Sequence, residues 1–76
     1  MATSRLQAIL EEAFPGGEVA VLDRTGGGDH FHVTVVSATF AGISLVEQHR
    51  LVNRALASLL EDGTIHELRI TTKGAS

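Results

Sequence analysis

The apolar residues of this chain recur with two different periods, which predict helices in some segments and strands in others. In the first fifteen residues the spacing is helical, at Leu6, Ile9, Leu10 and Ala13. One side of a first helix should therefore face a core. Ser4 and Gln7 form an S-x-x-Q capping box, which places the helix start at Ser4. Pro15 and the two glycines after it predict its end.

Two short segments rich in β-branched residues follow this helix. The first is EVAVLD (18–23), and the second is HFHVTVVS (30–37), in which Phe31 begins an alternation of apolar and polar positions. Alternation with a period of two is typical of a strand with one buried face. The glycine-rich loop 24–29 is longer than a tight turn. The pattern predicts a β-hairpin with a mobile connection.

A second helix is predicted from Ser44 to about residue 62. Ser44 and Glu47 form another capping box, and Gly63 gives the usual C-terminal stop. At about 100° per residue one stripe is apolar, and it contains Leu45, Val52, Leu56 and Leu59. His49 projects into the same stripe, so we interpret it as a core or partly buried histidine bonded to backbone.

The last predicted element is the strand TIHELRIT, with His66, Leu68 and Ile70 on one face. The element order is therefore α-β-β-α-β, an α/β fold with a three-stranded mixed sheet. A β-α-β unit makes its two strands parallel, so His30 and His66 should start neighbouring strands about 4.8 Å apart. Both side chains could then reach one ion or cluster. We expect one domain over residues 1–76, with a core at about 4–72 and a disordered tail at 73–76.

Composition limits the chemistry that this chain can supply. It has 76 residues, no cysteine and a net charge of -3 with histidine neutral. Any metal must be held by His, Asp or Glu, or be shared with a partner that supplies sulfur. The negative charge argues against binding driven by phosphates. No segment resembles a signal peptide or a membrane span, so we expect a soluble, cytoplasmic protein with no membrane association.

The histidines in GGGDHFH (26–32) allow several interpretations. His30 and His32 could be solvated residues at a strand start, or an H-x-H pair that binds zinc with Asp29 or His66. They could also form half of a site completed elsewhere. His66, taken by itself, equally suits a structural histidine held by hydrogen bonds.

Three segments of the chain resemble the BolA-like protein family. The family pattern V-V-S-x-x-F-x-G appears as VVSATFAG (35–42), H-R-x-V as HRLV (49–52) and I-H-x-L as IHEL (65–68). The combination is specific although no single piece is, and the resemblance covers about residues 4–72. It implies a fold related to class II K-homology domains, which agrees with the element order.

The resemblance also implies a partner and a cofactor. BolA-like proteins pair with a monothiol glutaredoxin and share a 2Fe-2S cluster, for which glutathione and the glutaredoxin cysteine supply thiolates. The histidine of I-H-x-L, here His66, is one ligand. The loop before the second strand supplies another, cysteine in one branch and histidine in the other. His30 matches the histidine branch, and His32 is the less favoured candidate. Imidazole ligation of iron is known from Rieske centres. The implied role is that of a non-enzymatic adaptor in iron–sulfur cluster handling or iron and redox regulation.

The alternative function is nucleic-acid binding, because K-homology-like folds bind single strands and BolA-like proteins are linked with transcription regulation. The negative charge, the missing G-x-x-G loop and the scarcity of aromatic residues argue against it. Many family members continue into a further helix, whereas this sequence ends at Ser76, so we expect a reduced partner surface there. The sequence is also compatible with a homodimer.

Overall fold

The computed structural model describes residues 2–74, which form three helices and three strands. The elements are α1 (Ala2–Ala13), β1 (Glu18–Asp23), β2 (His30–Ser37), a 3₁₀ turn (Ala38–Phe40), α2 (Leu45–Ala55), α3 (Ala57–Glu61) and β3 (Glu67–Gly74). The predicted order is confirmed, except that the second predicted helix is divided into α2 and α3. Among residues 2–74, no helix is both long and apolar enough to cross a bilayer.

The sheet has the order β1-β2-β3. β1 pairs with β2 in an antiparallel hairpin, and β2 pairs with β3 in parallel. In the parallel register His30 lies opposite Glu67, so β2 and β3 begin at the same end of the sheet. The mixed sheet predicted from the sequence is confirmed, and the start of β2 lies beside His66 as expected.

Alternation along the central strand separates a buried face from a partly exposed one. Phe31, Val33 and Val35 are fully buried, whereas the intervening residues of β2 are only partly buried. The buried face packs into a core with residues from all three helices, the 3₁₀ turn and the segment before β3: Leu6, Leu10, Phe14, Phe40, Val52, Leu56, Leu59 and Ile65. The core therefore holds β2 from the helical side and leaves His30 and His32 on the other face.

α1 ends before Pro15 as predicted, but its start and its last core position differ from the prediction. It begins at Ala2, so Ser4 lies inside the helix and the predicted capping box there is wrong. The amide of Gln7 instead donates to Glu11, one turn onward. Ala13 is exposed, and Phe14 takes the core position that the spacing assigned to Ala13.

α2 begins with the predicted cap. The Ser44 hydroxyl accepts a hydrogen bond from the Glu47 backbone N–H at 3.2 Å. Leu45, which the apolar stripe placed in the core, is 61% exposed because the buried stripe begins further along the helix. The helical pattern is interrupted at Leu56, where φ is -104° and ψ is 11°. This interruption leaves both Leu56 and Leu59 in the core.

The two candidate caps make a matched pair for mutation. We expect Ser44→Ala to lower the free energy of unfolding by about 1 kcal/mol, the usual cost of losing an N-cap side chain. Ser4→Ala should change it by less than about 0.5 kcal/mol, because exposed serine inside a helix has no such role. Urea denaturation of both variants checks this expectation. Equal effects at the two positions would contradict it.

β3 also departs from the sequence-based boundaries. It begins at Glu67, so His66 precedes the strand and does not share a strand face with Leu68 and Ile70. The strand continues through residues 73–74, where Ser37 of β2 lies opposite Gly74. The prediction of a disordered tail is therefore wrong for residues 73–74, and positions 75–76 lie outside the described residues.

Candidate metal-binding site at one end of the sheet

The candidate site lies where the glycine-rich loop meets the starts of β2 and β3. Asp29, the last residue of the loop, joins these elements through its backbone. Its carbonyl oxygen accepts hydrogen bonds from the backbone N–H groups of His66 at 2.8 Å and Glu67 at 3.2 Å. The positions of His30 and His66 are therefore linked by main-chain bonds as well as by strand pairing.

The Asp29 carboxylate contacts both histidines. Its Oδ2 atom is hydrogen-bonded to Nδ1 of His66 at 3.1 Å, and its Oδ1 atom lies 3.2 Å from Nδ1 of His30. The two imidazole rings have centroids 6.4 Å apart and planes inclined at 69°. The expectation that His30 and His66 lie together is confirmed, whereas their role as metal ligands stays a prediction.

Both imidazoles are accessible to solvent. The side chain of His66 is 61% exposed and that of His30 is 34% exposed. In each ring Nδ1 faces Asp29, and within residues 2–74 neither Nε2 atom has a hydrogen-bond partner. A neutral imidazole that donates from Nδ1 keeps a lone pair on Nε2, the arrangement common in metal-binding histidines.

The arginines near the histidine pair contact Glu67, so the Asp29 carboxylate contacts only the two histidines among the charged side chains described. Arg24, just after β1, forms an ion pair with Glu67 at 2.6 Å, and Arg69 lies 3.7 Å from the same carboxylate. The Arg24 backbone N–H also donates to the His30 carbonyl at 2.8 Å, closing the loop at its base. Glu67 rather than Asp29 therefore neutralises the nearby arginines.

Asp23 shapes the glycine-rich loop, a role that the sequence analysis missed. Its carboxylate accepts hydrogen bonds from the backbone N–H groups of Gly26 and Gly28, each at 2.9 Å, and of Thr25 at 3.3 Å. Gly26 and Gly28 both have positive φ, 77° and 79°, which favours glycine. The signal was present as Asp followed closely by glycines, because aspartate commonly bonds to main-chain amides just after it.

The other two histidines are not part of this pair. His32 lies on the partly exposed face of β2, where its Nε2 atom is hydrogen-bonded to Thr71 at 2.8 Å. His49 is partly buried on α2, as predicted. The predicted hydrogen bond from the His49 ring to backbone is absent within residues 2–74.

The described side chains do not assemble a complete metal site by themselves. Across residues 2–74 no group of three or more His, Cys, Asp or Glu side chains is arranged to hold a metal ion. For the alternative zinc site, built from the H-x-H pair with Asp29 or His66, the ring of His32 is hydrogen-bonded to Thr71 and does not join His30 at Asp29. The described side chains therefore bring together two imidazoles and one carboxylate at this end of the sheet.

Comparisons with known proteins identify similar chains. The family model described as BolA-like protein matches residues 7–76. An uncharacterized protein of Rickettsia prowazekii is 33% identical over 72 residues, which cover 95% of this chain and 92% of that one. A protein of Vibrio cholerae named DNA-binding transcriptional regulator BolA is 53% identical over 47 residues, 62% of this chain and 43% of that one. The solved structure of BolA1 from Arabidopsis thaliana has a TM-score of 0.88 and 32% identity, with 97% of this chain and 92% of that chain covered.

Proposed function

Because the chain belongs to the BolA-like protein family, we propose that it is a non-enzymatic adaptor for a 2Fe-2S cluster shared with a monothiol glutaredoxin. His66 and His30 are the ligands supplied by this chain. Glutathione and the glutaredoxin cysteine supply the thiolates, which the cysteine-free sequence cannot provide. The biological role is cluster handling or iron and redox regulation.

The observation that carries the proposal is the convergence of His30 and His66 on one carboxylate. Thirty-five residues separate the two histidines in the sequence, yet their ring centroids are 6.4 Å apart and their Nδ1 atoms contact opposite oxygens of Asp29. Carboxylates that accept from the second ring nitrogen commonly orient metal-binding histidines, and this arrangement supports the proposed pair of ligands.

The residues fit this cofactor chemically. Neutral imidazoles replace thiolates on one iron of Rieske 2Fe-2S centres, and this replacement raises the reduction potential. His66 and His30 each have a ring nitrogen that is not hydrogen-bonded within the described part of the chain, and His66 is mostly exposed. When bound, the cluster supplies one-electron chemistry, while this chain positions the two imidazoles and leaves them accessible to the glutaredoxin.

Titration with a cluster-loaded monothiol glutaredoxin tests the proposal. Adding the purified protein should change the visible absorption and circular dichroism of the cluster, because imidazole replaces part of its ligand set. The change should saturate at a fixed ratio of the two proteins. The same glutaredoxin without cluster provides the baseline. A spectrum unaffected by this protein at any ratio would contradict the proposal.

A second candidate function is nucleic-acid binding, favoured by the name of the Vibrio relative. Against this function, the chain has only six Lys and Arg residues but nine Asp and Glu residues. Arg24 and Arg50 also form ion pairs with glutamates. Phosphate-driven binding predicts an affinity for fluorescent single-stranded or duplex DNA that falls steeply as salt is raised. Undetectable binding at low salt would exclude this candidate.

A further inference from the structure

We infer that the Asp29 carboxylate is a positioning group that holds His66, and secondarily His30, in the form able to ligate iron. The inference rests on the proposed function, because it assigns a support to the ligands named there. Asp29 itself is not assigned as a ligand. Asp29 has two separate connections to His66, one through the main chain and one through the side chain.

The main-chain connection makes the side-chain contact well defined. The Asp29 carbonyl accepts from the backbone N–H of His66 at 2.8 Å, so the backbones of the two residues have a fixed relation. The carboxylate then reaches the imidazole of the same residue at 3.1 Å. Replacing the side chain leaves the carbonyl in place. A variant at position 29 therefore tests ring positioning with the backbone link retained.

The side-chain connection selects a tautomer. An ionised carboxylate can only accept hydrogen bonds, so the neutral His66 ring must carry its proton on Nδ1 to make this contact. Nε2 then keeps its lone pair and is the nitrogen available to a metal. Partner carboxylates of this kind orient metal-binding histidines and increase their basicity. His30 Nδ1 lies 3.2 Å from the other oxygen, so one carboxylate can act on both rings.

Competition for Asp29 from cations is limited by the neighbouring ion pair. Arg24 is the arginine of the loop, and it is bound to Glu67 at 2.6 Å rather than to Asp29. The Asp29 side chain is 35% exposed and directs one oxygen to each histidine. Its negative charge is thus placed where it favours imidazoles that donate from Nδ1.

The first experiment measures tautomers in the free protein by ¹⁵N NMR of the histidine rings at about pH 8, where histidine is ordinarily neutral. In the wild type His66 should carry its proton on Nδ1. In Asp29→Ala it should shift toward the Nε2–H form that unrestrained histidine favours in water. Asp29→Asn should retain the Nδ1–H form at His66, because the amide oxygen can replace one carboxylate oxygen as acceptor.

The second experiment measures binding of cluster-loaded monothiol glutaredoxin by visible circular dichroism. Asp29→Ala should weaken the interaction by about 10–100-fold, the usual cost of removing a group that supports a metal ligand. Asp29→Asn should lose less. Glu18→Ala is the matched control for the removed charge, because Glu18 lies opposite Val36 at the far end of the hairpin, and it should bind as the wild type does.

The outcomes separate this inference from the proposed function. An Nε2–H form of His66 in the wild type would overturn the positioning role. The positioning role would also be overturned if Asp29→Ala bound the loaded glutaredoxin as tightly as the wild type does, while His66→Ala gave no response. Absence of any wild-type response would overturn the proposed function and, with it, the assignment of Asp29 toward a cluster, even if the tautomers were as expected.

Discussion

His66→Ala is expected to abolish the spectral change that the wild-type protein produces with cluster-loaded glutaredoxin. The substitution removes the more exposed imidazole of the pair. Loss of a ligand should reduce the affinity for the loaded glutaredoxin more than loss of a supporting group does, which is about 10–100-fold. The folded structure should be retained, since the side chain of His66 is 61% exposed and precedes β3. Visible circular dichroism measures the response, and far-ultraviolet circular dichroism verifies the fold.

His32→Ala is the matched control for this result. It removes the same side chain from a neighbouring position on β2, but its ring is bonded to Thr71 and lies outside the pair. The control should retain the spectral response, and His30→Ala should show a weaker one than wild type. Equal losses in His66→Ala and His32→Ala would contradict the assigned ligand pair, as would a wild-type response in His66→Ala.

Phe31→Ala should cause the largest loss of stability among the substitutions considered. Phe31 is fully buried on the central strand and lies between His30 and His32 in the sequence. Truncating a buried phenylalanine costs about 3–5 kcal/mol through lost burial and the cavity left behind. In a domain of this length each kcal/mol corresponds to about 4–8 °C in the midpoint of thermal unfolding. Thermal and urea denaturation measure the change.

Thr34→Ala provides the matched control for Phe31→Ala. Thr34 lies on the same strand but on the partly exposed face, and its truncation should cost less than about 1 kcal/mol. A loss below about 1.5 kcal/mol for Phe31→Ala would show that the start of β2 is not held by this side chain. The placement of His30 by the core would then need another explanation.

The sequence predicts best those elements that have a clear hydrophobic period and are bounded by proline or glycine residues. The bounds of β1 and β2 agree with the predictions, because Pro15 and the glycine-rich loop separate short β-branched segments. The mixed sheet followed from the β-α-β order. The helices were predicted less well at their ends. A capping-box pattern occurs at Ser4 and at Ser44, and only the surrounding fold decides which serine begins a helix.

The histidine pair could be predicted from topology, but its chemistry could not. Parallel strands that start together bring His30 beside the segment before β3, whatever the details of the side chains. The bridge through Asp29 depends on a main-chain bond to His66, which precedes β3 because that strand starts at Glu67, three residues later than predicted. Side-chain contacts of this kind have no period in the sequence. The role of Asp23 was missed although an aspartate followed by glycines does signal it.

Because loop 24–29 is closed at its base by main-chain hydrogen bonds, its length can change without changing the positions of the two imidazoles. Main-chain bonds from Arg24 to His30 and from His66 to Asp29 fix the entry and exit, so residues added near Gly27 would disturb the turn built by Asp23 without moving either ring. Longer connections cost only slightly more entropy. This segment is thus a natural place for variation among relatives, or for grafting a recognition peptide beside an otherwise unaltered pair of ligands.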